Sequence, residues 1–282
     1  MKTILKNNHL QIDILEKGAE LCAIKSSNHD YMWNANPKFW SKHSPILFPI
    51  VGTLKNNIYS VNSKIYTLPR HGFARDMLFS IVQISEHRVT FELQSSAETH
   101  PIFPFDFSLH VTYELQHNTL RISFLVKNNG NTRMPFSIGA HPAFALPLDF
   151  DAYSLQFSKN EILECAVLKD DLISENSYII NLVDNNLKLN YELFDNDALI
   201  FKKIKSKKIT ILENEKPFIS VDFRDFESLG IWTKKDAPFI CIEPWNGFAD
   251  NVNVDGDIFK KQGIKIIEPN QVFNCQYTIT LH

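Results

Sequence analysis

The sequence predicts an all-β protein built as a large antiparallel β-sandwich. Apolar and polar residues alternate in run after run, helical periodicity is poor, and 22 phenylalanines in 282 residues suit a thick core between two sheets. Short alternating runs fall near 10–15, 19–25, 77–84 and 88–94. In "FDFSLHVTYELQ", Phe107, Leu109, Val111, Tyr113 and Leu115 share one face and Ser108, His110, Thr112 and Glu114 the other, the mark of a half-buried strand. "LRISFLVK" groups Leu120, Ile122, Phe124 and Val126, and the polar link at His117 and Asn118 reads as a hairpin turn. Further runs lie near 197–201, 208–213, 218–223 and 239–243. The terminal "FNCQYTITL" puts Phe273, Cys275, Tyr277, Ile279 and Leu281 on one face. Only "NPKFWSK" and "SSAETHP" could hold a helical turn or two. With no repeat period, Gly/Ser linker or low-complexity tract, a single domain over 1–282 is expected. The five lysines of "FKKIKSKKIT" lie between two β runs and predict a solvated hairpin whose charges oppose edge-to-edge pairing.

Composition narrows the function. A formal charge of -3 gives no field that would draw nucleic acid or an anionic membrane. Partners are expected to be neutral small molecules, and the chain a monomer or homodimer. Cys22, Cys165, Cys241 and Cys275 are widely spaced without a C-x-x-C pair, so neither a zinc cage nor a redox motif is predicted and buried free thiols are expected. The first residues lack the apolar stretch of a signal peptide, and no run approaches the roughly 20 apolar residues of a membrane span, so a cytoplasmic location is expected.

Nucleotide-binding, zinc-protease and serine-hydrolase motifs are missing, and candidate chemistry rests on polar residues in apolar settings. "LPRHGFARD" places Arg70, His71 and Arg75 in a loop after a strand, where Gly72 permits tight backbone geometry; a surface turn reads as easily. In "FSIGAHPAFALP", His141 sits in an apolar run. A core histidine satisfied by a carbonyl is one reading; the small Gly139 and Ala140, and the strand-breaking Pro142 and Pro147, favour a ligand-facing loop. In "APFICIEPWNGF", alternation puts Phe239, Cys241, Glu243 and Trp245 on one face, so a carboxylate points where apolar groups point. A buried ionised carboxylate is costly without a partner, and such a setting raises its pKa toward that of a neutral-pH general base. Trp245 offers either a flat face for a sugar ring or a core indole.

These stretches, with "MWNANPKFWSKHSPILFPIVGTL", "FPFDFSLHVTYEL", "MPFSIGAHPAFALPL" and "LFDNDALIFKKIKSKKITI", resemble the aldose 1-epimerase (galactose mutarotase) family. The likeness is greatest to its LacX-like branch, with a relationship to the hexose-6-phosphate 1-epimerases. It runs through nearly the whole chain and implies the family's β-supersandwich with a sugar cleft on one face. It also implies Glu243 as the catalytic carboxylate and His141 as the catalytic histidine. His71 would be the second family histidine, with Arg75 or Arg70 near the substrate. Asp197 would hold sugar hydroxyls, although the nearby Asp195 leaves that register open. The implied reaction is anomer interconversion without metal or organic cofactor, a base taking the O1 proton while an acid protonates O5. The stretch "SKHSPILFP" lacks the arginine and glycines of the phosphosugar branch, which favours a neutral hexose, although Lys42, His43, Arg70 and Arg75 could still form an anion site. A glycosidase using Glu243 with Asp197 or Asp222, and a non-catalytic sugar-binding module, are the competing readings.

Overall fold

The structure is a computed structural model describing residues 1–27 and 29–282. Its regular structure is strand with a few single 3-10 turns, and every strand pairing in its sheets is antiparallel. Two large sheets dominate. In the nine-stranded sheet the hairpin Phe107–Gln116/Thr119–Asn128 runs in register from Phe107 opposite Asn128 to Gln116 opposite Thr119. The turn has only two residues, and His117 takes a positive φ of 53° to close it. The last strand, Val272–Leu281, lies between this hairpin and Lys216–Asp222.

The eight-stranded sheet carries, in spatial order, Leu172–Ile180, Leu163–Lys169, Leu199–Phe201, Ser228–Trp232, Phe239–Asn246, Ile138–Ala140 and Ile46–Leu47; Ala143–Ala145 also pairs with Phe239–Asn246. The predicted faces reappear between the sheets: Leu109, Val111, Ile122, Val126, Ile209, Ile219, Val221 and Ile279 are all buried in one apolar cluster that reaches from Leu5 to Leu281. Phe48, Phe73, Phe103, Phe107 and Phe136 pack against one another in it, with ring centroids 5.1–6.3 Å apart. Full burial of such a side chain contributes about 2–3 kcal/mol, which makes this cluster the main source of stability. A four-stranded N-terminal sheet, Lys2–Lys6 to His29–Asp30, is tied to the nine-stranded one where Tyr113 Oη donates to the Ala19 carbonyl at 2.7 Å.

Two sequence expectations change. The lysine-rich segment is no hairpin: it leaves Leu199–Phe201 in the eight-stranded sheet and enters Lys208–Glu213 in the nine-stranded one, so it is a crossover between layers. Its Lys207 reaches back to donate to the Phe226 carbonyl at 2.6 Å. The face shared by Phe239, Cys241, Glu243 and Trp245 is also not the one turned to the main core. Ile240 and Ile242 belong to that core, whereas Phe239 and Cys241 join one satellite cluster with Trp33 and Ala143, and Trp245 joins another with Leu47, Val51 and Phe248. The eight-stranded sheet is therefore covered on both faces, and Glu243 emerges between the two satellite clusters.

Candidate active site

A cavity of about 310 Å³ opens on that outer face, and of the residues singled out from the sequence Arg70, His71, Arg75, His141, Asp197, Glu243 and Trp245 line it. Its centre is set by strand register. Residues 138–145 run antiparallel along Phe239–Asn246 in two pieces, with Gly139 opposite Trp245 and Ala143 opposite Cys241. Continuing either piece puts His141 opposite Glu243. The ladder opens there because Pro142 and Pro244 lack N–H donors. Across the gap His141 Nε2 lies 3.2 Å from Glu243 Oε2.

Glycines seat Trp245, two residues beyond Glu243 on the same strand. A Cβ on Gly139 would come 2.7 Å from the Trp245 ring and one on Gly230 2.5 Å, so the indole lies flat over two glycine-lined rows. Trp245 is only 4% exposed. It forms part of the cavity wall but is chiefly a packed indole, and its N–H meets no acceptor in hydrogen-bonding geometry even though it favours the charged form of Glu243. More exposed aromatic surface comes from residues the pattern analysis did not assign to the site. Trp40 stacks on the His141 imidazole, centroids 4.7 Å apart and planes 25° apart, and Trp232 meets it edge-on at 5.8 Å. Both sit near strand ends or in loops, where alternation carries no signal.

The Arg70–Gly72 turn is locked to the loop after Ile46–Leu47. His71, at φ 68°, donates its backbone N–H to the Gly52 carbonyl at 2.8 Å, and the Gly52 N–H donates to His71 Nδ1 at 3.1 Å. Gly72 must be glycine, because a Cβ would fall 2.2 Å from the Phe48 carbonyl oxygen. A neutral imidazole has one lone pair. The backbone bond uses it at Nδ1, so the ring proton is on Nε2 and the 3.3 Å approach of Arg70 Nε is a contact rather than a second bond. The loop is tied further along by a buried ion pair, Lys261 Nζ to Asp250 Oδ1 at 2.9 Å, whose second carboxylate oxygen accepts from the Lys55 N–H.

Asp197 lines the cavity with its Oδ1 accepting from the Ala198 N–H, whereas Asp195 is exposed and outside it. Asp222 lies in the other sheet, paired with Arg224, and does not reach the site. The cations are partnered: Arg70 to Asp171 at 3.1 Å, Arg75 to Asp76 at 3.6 Å, and Lys42 to Asp76 at 3.3 Å. His43, bonded through Nδ1 to the Trp33 carbonyl, does not line the cavity. Asp171, at the turn between Leu163–Lys169 and Leu172–Ile180, is a cavity residue that nothing local in the sequence marked.

Burial governs the electrostatics. It pushes the Glu243 carboxyl well above its usual range, with Asp197 adding to the rise and Arg70 opposing it. It brings His141 down to about 3, helped by the charges of Arg70 and Arg75, and holds His71 well below its ordinary value, with His141 and the same arginines contributing. Glu243 and His141 thus carry one proton between them, and their titrations belong to the pair. Such a pair can give a proton to one oxygen while taking one from another.

By family and by fold, this supersandwich with a carboxyl–imidazole pair in an aromatic-walled cleft belongs with the carbohydrate epimerases. The chain belongs to the aldose 1-epimerase family, whose model matches residues 1–271. It is 33% identical over 297 aligned residues to the chromosomal protein LacX of Lactococcus lactis subsp. lactis, covering 98% of both chains. Among solved structures, a galactose mutarotase related enzyme from Lactobacillus acidophilus superposes with a TM-score of 0.95 at 33% identity, covering 100% of this chain and 97% of that one. A galactose mutarotase-like protein from Lactobacillus casei follows at 0.92 and 30% identity, with 100% of both chains covered. The fold and family implied by the sequence are those found.

Proposed function

We propose that the protein is a mutarotase that interconverts the α and β anomers of a free aldohexose, with Glu243 and His141 as its acid–base pair. The observation that carries this reading is the 3.2 Å approach of two buried, oppositely shifted groups across an opened strand ladder at the cavity wall. In the reactive tautomer Glu243 is the carboxylate and takes the O1 proton, while His141 as imidazolium protonates O5. The ring opens to the aldehyde, C1–C2 rotation exposes its other face, and reclosure reverses both transfers. His71, kept neutral, donates from Nε2 near the ring oxygen instead of serving as the acid. Asp197 and the arginines bind hydroxyls, and Trp40 and Trp232 offer apolar faces to the sugar's C–H side. Because Arg70, Arg75 and Lys42 already have carboxylate partners, the cleft suits a neutral sugar better than a phosphorylated one. Four free cysteines fit the reducing cytoplasm, where we place the protein.

The test is polarimetry of freshly dissolved α-galactose, α-glucose and α-glucose 6-phosphate. Wild type is expected to accelerate the approach to equilibrium for a free sugar, and Glu243→Gln and His141→Ala to lose roughly 10²–10⁴-fold of that rate. A greater effect on the phosphosugar would move the assignment to that branch. Sugar binding by folded protein that is unaffected by Glu243→Gln, with no acceleration, would make it a binding module. Release of an aglycone from aryl glycosides would make it a glycosidase.

A further inference from the structure

We propose that His141, Cys241 and Glu243 form a three-ligand site for a thiophilic divalent cation of the zinc class, and that a bound cation shuts down the acid–base pair. The inference uses the same two residues as the proposed reaction, but it stands on ligand geometry and does not require the reaction to occur.

A ring nitrogen of His141, the Cys241 sulfur and a Glu243 carboxylate oxygen all lie within 4.8 Å of one another, the cluster of this kind found among the described residues. The three residues are 8%, 0% and 1% exposed. Cys241 and Glu243 are two apart on one strand, so their side chains leave the same face, and His141 comes from the facing segment; two paired backbones hold all three. Tetrahedral zinc with bonds of about 2.0–2.3 Å spaces its ligand atoms by roughly 3.3–3.7 Å. The His141–Glu243 pair at 3.2 Å is already close to that spacing, and the Cys241 sulfur, within 4.8 Å of both, is the ligand that has to come closer. Glu243 Oε2 is buried and, beyond its 3.2 Å approach to the His141 ring, meets no hydrogen-bond partner, an acceptor open to a cation.

Charge also fits. A thiolate, a carboxylate and a neutral imidazole around a divalent cation sum to zero, which suits a site that disfavours isolated charge. Binding releases to solvent the thiol proton and the proton shared by Glu243 and His141. His141 and Glu243 both line the cavity, and a fourth position is left for water or a sugar hydroxyl. With the cation in place Glu243 is a metal-bound carboxylate and so a much weaker base toward O1, and His141, bound through its ring nitrogen as a neutral ligand, has no proton there for O5.

The experiment titrates Co²⁺ alone, without sugar, into wild type, Cys241→Ser and Cys22→Ser under non-chelating conditions. Wild type and Cys22→Ser are expected to show a one-equivalent thiolate-to-cobalt charge-transfer band with tetrahedral visible bands, bleached by Zn²⁺, and Cys241→Ser to lack them. Losing a partner outside the ligand shell already weakens metal sites by roughly 10- to 100-fold. Loss of the thiolate should raise the Zn²⁺ needed to stabilise the protein thermally by at least about tenfold. No band in folded wild type, or an undiminished band in Cys241→Ser, overturns the site. If Cys241→Ser does not fold, His141→Ala is read instead, and undiminished tetrahedral bands there overturn it equally. Because these readouts need no substrate, a metal site in a protein without mutarotase activity, and an active mutarotase without a metal site, are separate results.

Discussion

Glu243 and His141 leave a signature in stability as well as in chemistry. The folded pair holds one proton over a wide range, since burial keeps Glu243 protonated above its ordinary 4.5 and His141 neutral down to about 3. In the unfolded chain the same residues titrate near 4.5 and 6.5, so between those values the unfolded pair also holds one proton and contributes no slope. Above 6.5 the unfolded histidine loses its proton while the folded pair keeps one, and stability falls as pH rises. Below 4.5 the unfolded glutamate gains a second proton that the folded pair refuses until about 3, and stability falls as pH falls. Glu243→Gln should abolish this alkaline loss and start the acid loss at 6.5, where His141 alone then sets it. Urea midpoints across pH for both proteins check this; parallel profiles would show that the two groups do not share a proton. Glu243 was legible because two-residue alternation aimed a carboxylate along an apolar face. Trp40, Trp232 and Asp171 were not, because loops and strand ends have no period to break.

Among the elements, Phe239–Asn246 organises the site, and its glycine neighbours can be tested without touching a polar group. Gly230 pairs with Glu243, and its φ lies outside the left-handed region, so Gly230→Ala acts only through the methyl placed 2.5 Å from Trp245. Overpacking of this kind costs about 1–3 kcal/mol. The variant should lose that much in urea stability and, on the proposed function, lose mutarotation beyond the loss of fold, because a displaced indole would shift the carboxyl beside it. Unchanged stability would mean that the indole moves freely. Long strands such as Phe107–Gln116 were readable since each offers several alternations. Ile46–Leu47, Ile138–Ala140 and Ala143–Ala145 have two or three residues each and are defined only by their partners.

For the whole molecule, we propose that residues 1–282 fold as one unit, since one apolar cluster draws on both large sheets and on the N-terminal sheet. Urea unfolding followed by tryptophan fluorescence and by far-ultraviolet circular dichroism should give coincident transitions; two separated transitions would divide the chain. Sheet membership was the part of the fold hidden from the sequence. The runs at 197–201 and 208–213 were both readable as strands, yet nothing local says whether consecutive strands pair or part, and the lysines between them look alike in a hairpin and in a crossover.

All eight residues of Phe239–Asn246 are buried, and the strand has partners on both sides. The carboxyl at the centre of the cleft is thus carried by backbone whose amides should exchange with solvent only when the entire protein opens. Heat or denaturant has no route to displace this carboxyl before the sheet itself opens. For this molecule, the seat of that carboxyl lasts as long as the fold does.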